Sequence, residues 1–261
     1  MHLSHLVLRN GATIVALLLA ANLVTHAREP ARPAKFPAPE KLTYRIEWRL
    51  ITAGTATIEL SRGTPDDWET KLDLQSAGLV TRLYRVLDSY RATTNDHFCA
   101  FGSQMDAQEG KRHAVTHLSF DNAGRKVTFE ERDLITKTST KKVIDDTPPC
   151  TYEITGALLA LRNVNLQPGK SMTLPITDGK KLASARIEAQ SRETLNVGKK
   201  TYQTIRYEAF LFDNVLYRRK GRLLIWLTDD AERLPVQFRM QMGFPIGNVT
   251  VELQSQEKLN P

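Results

Sequence analysis

The feature that most constrains this chain is a two-residue alternation of apolar and polar side chains that recurs in many segments. The clearest example runs from Leu42 to Leu50, where every second residue is apolar and Thr, Arg or Glu lies between. This period is typical of a β-strand with one buried face. Similar runs occupy residues 56–60, 68–74, 236–242 and 249–254. Strands that bury one face are typical of antiparallel sheets.

Two short segments have helical spacing instead. The first predicted helix follows Gly78 and would cover one end of the sheet with an apolar stripe of Leu79, Leu83, Val86 and Leu87. The second is predicted over about residues 152–162, with Thr151 as its N-cap. About ten to twelve strands and no βαβ rhythm predict a mainly β, antiparallel, barrel-like or sandwich-like single domain with two short helices.

Turn-forming residues connect the predicted strands. Residues 51–54 are predicted to turn between the first two strands, with Gly54 supplying conformational freedom. Asp178-Gly179 predicts a hairpin. Residues 243–248 precede the last strand and are also predicted to turn.

The first 27 residues have the composition of a secretory signal peptide. Arg9 precedes an apolar run over residues 11–24, and Thr25-His26-Ala27 gives a cleavage site after Ala27. The run is shorter than the roughly 20 residues of a membrane-spanning helix, although an uncleaved anchor is the alternative. Residues 28–41 contain four prolines and predict a flexible tether, so the folded domain is expected over 42–257.

Charge and compartment limit the partners. The formal net charge is +7, and removal of the leader with Arg9 leaves +6. An exported basic protein is attracted to envelope lipid or anionic glycan, and nucleic acid is not expected as a partner. The alternative is that the charge only keeps the protein soluble. No transmembrane span is expected after processing, the predicted location is periplasmic or secreted, and the oligomeric state is left open.

Cys99 and Cys150 are the only cysteines. An oxidising compartment favours a disulfide between them. Two buried free thiols are the alternative. Their spacing matches neither a redox CxxC pair nor a zinc site.

No catalytic, metal or cofactor motif occurs in the sequence. His113 and His117 are four residues apart, but on a strand this spacing separates the imidazoles by about 13 Å. Asp229-Asp230 follows a predicted strand and is more typical of a turn than of a cation site. The common hydrolase, zincin and nucleotide-binding motifs are absent. We therefore expect no cofactor and lean against an enzyme.

Two groups of residues are candidate binding elements. Residues 217–222 form the densest basic cluster, which would bind an anionic glycan or headgroup or else form a solvated turn. Four residues on apolar strand faces would line an acyl-chain cavity or else fill the core: Tyr44, Trp48, Phe238 and Met240.

Several segments resemble, in the same order, a bacterial envelope family known as domain of unknown function 3108. They are residues 42–56, 154–162, 166–170, 225–230 and 234–236. The resemblance implies an exported, β-barrel-like fold with no assigned role and no catalytic residues. The family's Asp and Ser before the second helix are replaced here by residues 150–156, so this segment is not predicted to be a functional site.

The leading hypothesis is a non-enzymatic envelope protein that binds, carries or scaffolds a lipid or glycan component. The alternatives are an envelope hydrolase with an unrecognised site and a purely structural module. An apolar cavity favours carriage, a cleft with perturbed ionisable groups favours catalysis, and a filled interior favours the structural module.

Overall fold

The structure, a computed structural model, describes residues 38–63, 66–243 and 246–259. The predicted signal peptide and most of the predicted tether lie outside the described residues. Within the described ranges, no helix is long and apolar enough to cross a membrane.

In these ranges the chain forms fourteen strands and two helices, with little irregular structure between them. Their bounds are β1 Glu40–Trp48, β2 Ile51–Arg62, β3 Asp67–Ser76, α1 Gly78–Leu83, β4 Val86–Asn95, β5 Ala100–Glu109, β6 Arg112–Asp121, β7 Lys126–Asp133, β8 Ser139–Ile144, α2 Ile154–Asn163, β9 Ser171–Thr177, β10 Leu182–Val197, β11 Lys200–Ala209, β12 Gly221–Thr228, β13 Pro235–Met242 and β14 Asn248–Lys258.

All the strands belong to one antiparallel sheet, with the first and last strands side by side at its middle. The spatial order is β8-β7-β6-β5-β4-β3-β2-β1-β14-β13-β12-β11-β10-β9. Every neighbouring pair except β1 and β14 is therefore also consecutive in sequence. The predicted mainly β, antiparallel, barrel-like domain is confirmed, but β8 and β9 do not pair, so the sheet is not closed by hydrogen bonds.

The two sheet edges are protected in different ways. β8 is mostly exposed and contains Lys141 and Lys142, and lysines on an edge discourage pairing with another chain. β9 is covered in part by Tyr152, whose backbone N–H donates to the carbonyl of Pro175 at 2.9 Å and forms an isolated parallel bridge with Ile176. Pro175 has no backbone N–H to leave unpaired at this edge.

Helix α2 connects the two edge strands and is buried. The second predicted helix is thus confirmed, although it begins at Ile154 and its N-cap is Glu153 rather than Thr151. Its apolar side contributes Ala157, Leu159 and Leu161 to the largest hydrophobic cluster, where they meet residues from β9 to β12.

A buried ion pair joins α2 to the first strand. Arg162 Nη1 lies 2.7 Å from Glu40 Oε1, and both side chains are almost fully excluded from solvent. Arg162 Nε also donates to the carbonyl of Arg233 at 3.1 Å, and Gln256 donates to Glu40 Oε2 at 2.9 Å. Glu40 is the first residue of β1, which begins two residues before the expected start of the domain.

Two local predictions near the β1–β2 connection are wrong. The turn lies at Arg49 and Leu50, and Gly54 lies inside β2. Gly54 is needed there because an added Cβ would lie only 2.2 Å from the carbonyl oxygen of Gln75 on β3.

The first predicted helix is only partly correct. α1 ends at Leu83, and the next strand already begins at Val86. The expected stripe does not cover the sheet, because Leu79 and Leu83 are 57% and 68% exposed.

Cys99 and Cys150 form a disulfide, with 4.9 Å between their Cα atoms. The bond joins the β4–β5 loop to the segment that leads into α2. The segment before α2 is therefore held to the β4–β5 loop by a covalent crosslink.

We expect Cys99→Ala/Cys150→Ala to lower the free energy of unfolding by about 2–4 kcal/mol, because a loop of this size is released in the unfolded chain. Urea denaturation of the double variant and of the oxidised wild type measures the difference. Equal midpoints would show that the crosslink does not stabilise the domain.

Arg162→Met is expected to destabilise the domain by about 3–5 kcal/mol, since it leaves the Glu40 carboxylate buried without its cation. In Glu40→Met/Arg162→Met both charges are absent, and much of the loss should be recovered. The same urea titration tests both variants. A double variant no more stable than Arg162→Met would contradict this account of the pair.

Candidate ligand-binding cavity

A cavity of about 370 Å³ lies between the inner face of β3–β7 and the start of α2. One row of paired residues crosses all five strands along its wall: Leu72, Tyr90, Met105, Thr116 and Glu131. Rows on either side add Leu74, Asp88 and Ala107, and Ser103, Leu118 and Phe129. The strand register therefore places side chains that are distant in sequence on one concave wall.

The β9–β10 turn covers part of this wall. Gly179 has a φ of +83°, and an added Cβ would lie 2.7 Å from the ring of Phe129, so the turn packs directly on β7. Lys180 Nζ lies 3.4 Å from Glu131 Oε2 and 4.8 Å from the centre of the Phe129 ring. The predicted Asp178-Gly179 turn is confirmed, and it brings a charged pair to the cavity.

Glu153 lines the cavity where α2 begins. Its carboxylate accepts hydrogen bonds from Thr155 N at 2.6 Å, Thr155 Oγ1 at 2.8 Å, Gly156 N and the Tyr90 hydroxyl at 2.7 Å. Burial raises the pKa of Glu153, although these hydrogen bonds favour the ionised form. Burial and the adjacent Glu153 raise the pKa of Tyr90, which keeps its hydroxyl a donor.

Asp88 is the second carboxylate with an altered proton affinity. Partial burial is the main reason that its pKa rises to about 6, and Glu109 and Asp106 add to the increase. Asp88 Oδ1 accepts from the backbone N–H of Gln108 at 2.9 Å. The group therefore changes charge in a mildly acidic range, where an ordinary Asp is already ionised.

The cavity combines an apolar wall with about as many polar lining residues, which include the charged groups of Arg112 and Asp178. Its lining includes Leu, Met, Ala, Phe and Tyr side chains and contains no His or Cys. The volume lies within the range of small-molecule sites. The oxygens of Glu153 are already engaged in capping α2, so this group is positioned as a structural acceptor rather than as a free acid or base.

The residues predicted to line an acyl-chain cavity do not line this one. Tyr44 is fully buried in the second hydrophobic cluster, its hydroxyl donates to the carbonyl of Pro235 at 2.9 Å, and its ring centre is 5.8 Å from that of Phe238. Trp48 donates to the carbonyl of Ile246 at 2.6 Å. Like Met240, these residues are absent from the lining. Of the two alternatives, Tyr44, Trp48 and Phe238 follow the second, because they pack in the second hydrophobic cluster.

The basic cluster of residues 217–222 is divided by the structure. Tyr217 lines the cavity. Arg222 pairs with Glu208 on the neighbouring strand through hydrogen bonds of 2.7 and 2.6 Å, so its charge is locally compensated. Residues 218–220 lie in the β11–β12 connection.

The remaining candidates have structural contacts. His113 Nε2 lies 2.9 Å from Asp106 Oδ1. Asp230 accepts from the hydroxyl of Thr228 and from backbone N–H groups in its turn, while Asp229 pairs with Arg192 at 2.8 Å. Across the described ranges, no group of three or more His, Cys, Asp or Glu side chains is arranged to hold a metal ion.

Sequence reasoning missed the residues that form the cavity. The strands that carry Asp88, Tyr90 and Met105 are extended but only weakly periodic, so their inward faces were not evident. A helix capped by Thr151 would place Glu153 within its first turn, whereas the structure places Glu153 at the N-cap. N-cap preferences favour Ser, Thr, Asp and Asn, so they give no signal for Glu153 as the cap.

Comparison with one solved structure supports the fold, and a second match is weaker. A β-barrel-like protein of domain of unknown function DUF1849 from Brucella abortus is similar with a TM-score of 0.57 and 8% sequence identity, covering 86% of this chain and 99% of that chain. A protein with a YmcC-like fold from Bacteroides fragilis has a TM-score of 0.33 and 8% identity, covering 87% of this chain and 100% of that chain. No curated protein matches the sequence significantly.

The resemblance found in the sequence is confirmed by a family model that matches residues 43–254, from β1 to β14. This range includes every strand that lines the cavity, α2 and both cysteines. The chain therefore belongs to the family described as "Protein of unknown function (DUF3108)".

Proposed function

We propose that this protein is an exported, non-enzymatic binding protein of the cell envelope that holds the apolar part of an amphiphilic lipid in the β3–β7 cavity. The observation that carries the proposal is the cavity of about 370 Å³ with a mainly apolar wall. Burial of apolar ligand surface there is favourable by roughly 25 cal/mol per Å².

Export is supported by two features of the chain. Residues 1–27 have the pattern of a cleavable leader. Cys99 and Cys150 form a disulfide, which is typical of proteins that fold outside the reducing cytoplasm.

The distribution of polarity favours a lipid over a glycan. Leu72, Met105 and Phe129 offer no hydrogen bonds to sugar hydroxyls, whereas they match an alkyl chain. Charged groups are available for a polar head at Asp88, and at the pair formed by Lys180 and Glu131.

One feature supports the hydrolase alternative: Asp88 and Glu153 line the cavity and have raised pKa values. Two others count against it. The carboxylate of Glu153 is occupied by four donors, and the cavity lining offers neither a His base nor a Cys nucleophile to a hydrolase. A purely structural module gives no reason for a cleft with this apolar wall, because apolar surface left in water is unfavourable.

Met105→Trp tests the site because an indole at position 105 fills the cavity. We expect the wild type to bind cis-parinaric acid, a fluorescent fatty acid, and Met105→Trp to bind it at least about tenfold more weakly, the loss expected from about 1.4 kcal/mol. Gln104→Trp is the matched control, because residue 104 is exposed on the other face of the same strand.

Fluorescence titration of the three proteins, together with circular dichroism to confirm folding, measures the effect. Failure of the wild type to bind, or equal binding by Met105→Trp, would contradict an acyl-chain site in this cavity.

Asp88→Asn should change how stability depends on pH. The folded pKa of Asp88 is about 6, above its ordinary value of 3.8, so the unfolded chain loses the proton first as pH rises. Stability due to this group should therefore fall between about pH 4 and pH 6 and stay low above that range. Asp88→Asn should not show this component and should be more stable than wild type near neutral pH.

Thermal unfolding of both proteins at a series of pH values measures this difference. Identical pH profiles would show that Asp88 has no raised pKa in the folded state.

A further inference from the structure

Several large apolar side chains project into solvent at the end of the sheet where α1 lies. Leu50 is 95% exposed, Leu83 68%, Leu79 57% and Tyr84 52%. We call this surface the α1 end and define it as residues 49–51, 77–87 and 110–111. Apolar side chains grouped in this way usually mark an interaction surface.

The three segments of the α1 end lie against one another. Ala77 N donates to the carbonyl of Ala53 on β2 at 2.8 Å, which places α1 beside the β1–β2 hairpin. Gly110 N donates to the carbonyl of Arg85 at 2.7 Å, and a Cβ at Gly110 would lie 2.7 Å from the Tyr84 ring. The three segments therefore lie together at one end of the sheet.

The charged residues of the α1 end are all basic. Arg49, Arg82, Arg85 and Lys111 are exposed, whereas the acidic residues that adjoin the three segments, Asp88 and Glu109, are half-buried. The surface thus combines apolar side chains with positive charge.

The residues of the β1–β2 turn are not the ones that a stable hairpin favours. Arg49 and Leu50 both have positive φ, 49° and 68°, and Trp48 pairs directly with Ile51. Two-residue turns with both residues in this region favour Asn-Gly, and a leucine is disfavoured there. Because Leu50 packs on almost nothing, the hairpin itself gives no reason for its presence.

We propose that the α1 end docks onto an anionic phospholipid bilayer. Leu50, Leu79 and Leu83 would enter the interfacial region, Tyr84 would lie at the headgroup level, and the arginines would contact lipid phosphates. The positive charge of the surface complements an anionic bilayer, where each basic residue near the headgroups adds to the attraction. The proposal goes beyond ligand binding in the cavity and does not depend on it.

The test is co-sedimentation with vesicles of phosphatidylcholine and phosphatidylglycerol in equal parts, compared with vesicles of phosphatidylcholine alone. Every protein is prepared without residues 1–27, the proposed leader, because its apolar run would itself bind both kinds of vesicle. Arg49→Asn/Leu50→Gly restores favoured turn residues and is expected to fold at least as well as wild type. Arg82→Gln/Arg85→Gln keeps the apolar residues but lowers the charge.

Wild type should bind the anionic vesicles, and added salt should weaken binding. Each double variant should lose about tenfold or more in partitioning, given the contribution of each basic residue near an anionic surface. Phe101→Ser is the control, because Phe101 is 43% exposed at the start of β5, away from α1, and its loss should have no effect.

The proposal is overturned by any of three results: no binding of wild type to anionic vesicles, equal binding to both vesicle types, or unchanged binding of both double variants. Unfolding midpoints for each variant confirm that a loss of binding does not come from misfolding. Oligomerisation through the α1 end, seen by analytical ultracentrifugation without lipid, would assign the surface to a second copy instead.

Discussion

Burial of α2 against the inner face of an open sheet is the interaction on which the rest of the structure depends. The sheet has two edges that do not pair, so backbone hydrogen bonds alone leave its concave face open. Leu161 is fully buried, and Arg162 is held by Glu40 at the first strand. The disulfide and the Tyr152 bridge to β9 fix the segment before the helix. Packing, an ion pair and a covalent bond thus replace the missing strand pairing.

The same helix divides the interior into two kinds of space. Its apolar side meets β9–β12 and forms a filled hydrophobic cluster. Its N-terminus faces β3–β7, where Glu153 accepts from the helix and from Tyr90. A buried carboxylate is costly unless its oxygens accept hydrogen bonds. Glu153 meets this need with donors from both sides, because Thr155 belongs to the helix and Tyr90 to the cavity wall. The unfilled space beside it is where an apolar ligand gains most from burial.

Much of the fold followed from local sequence signals. The alternation from Leu42 predicted β1, the Asp178-Gly179 pair predicted a hairpin, and apolar spacing predicted α2. The cysteine count left the disulfide as one of two alternatives. Each signal depends on residues close in sequence. Gly54 was assigned to a turn, although it is required by the close approach of the β3 backbone. A single sequence does not distinguish these two reasons for a glycine. The strand β8 was missed because it is almost wholly exposed and has no alternation.

The cavity was not predictable in the same way. Its wall depends on the register of five strands, which aligns Tyr90 with Met105 across β4 and β5. Register is a property of the whole sheet, and single strands such as β5 do not encode which face is concave. The aromatic residues on the most regular strands fill the core instead, as Tyr44 does.

Native mass spectrometry of the protein isolated from the envelope of its own cells tests the central claim most directly. The account predicts a population whose mass exceeds that of the polypeptide by one lipid, and predicts that filling the space around Met105 removes this population. A protein that carries no bound molecule, while its disulfide is intact and its fold is stable, would contradict the assignment of the interior as a binding site.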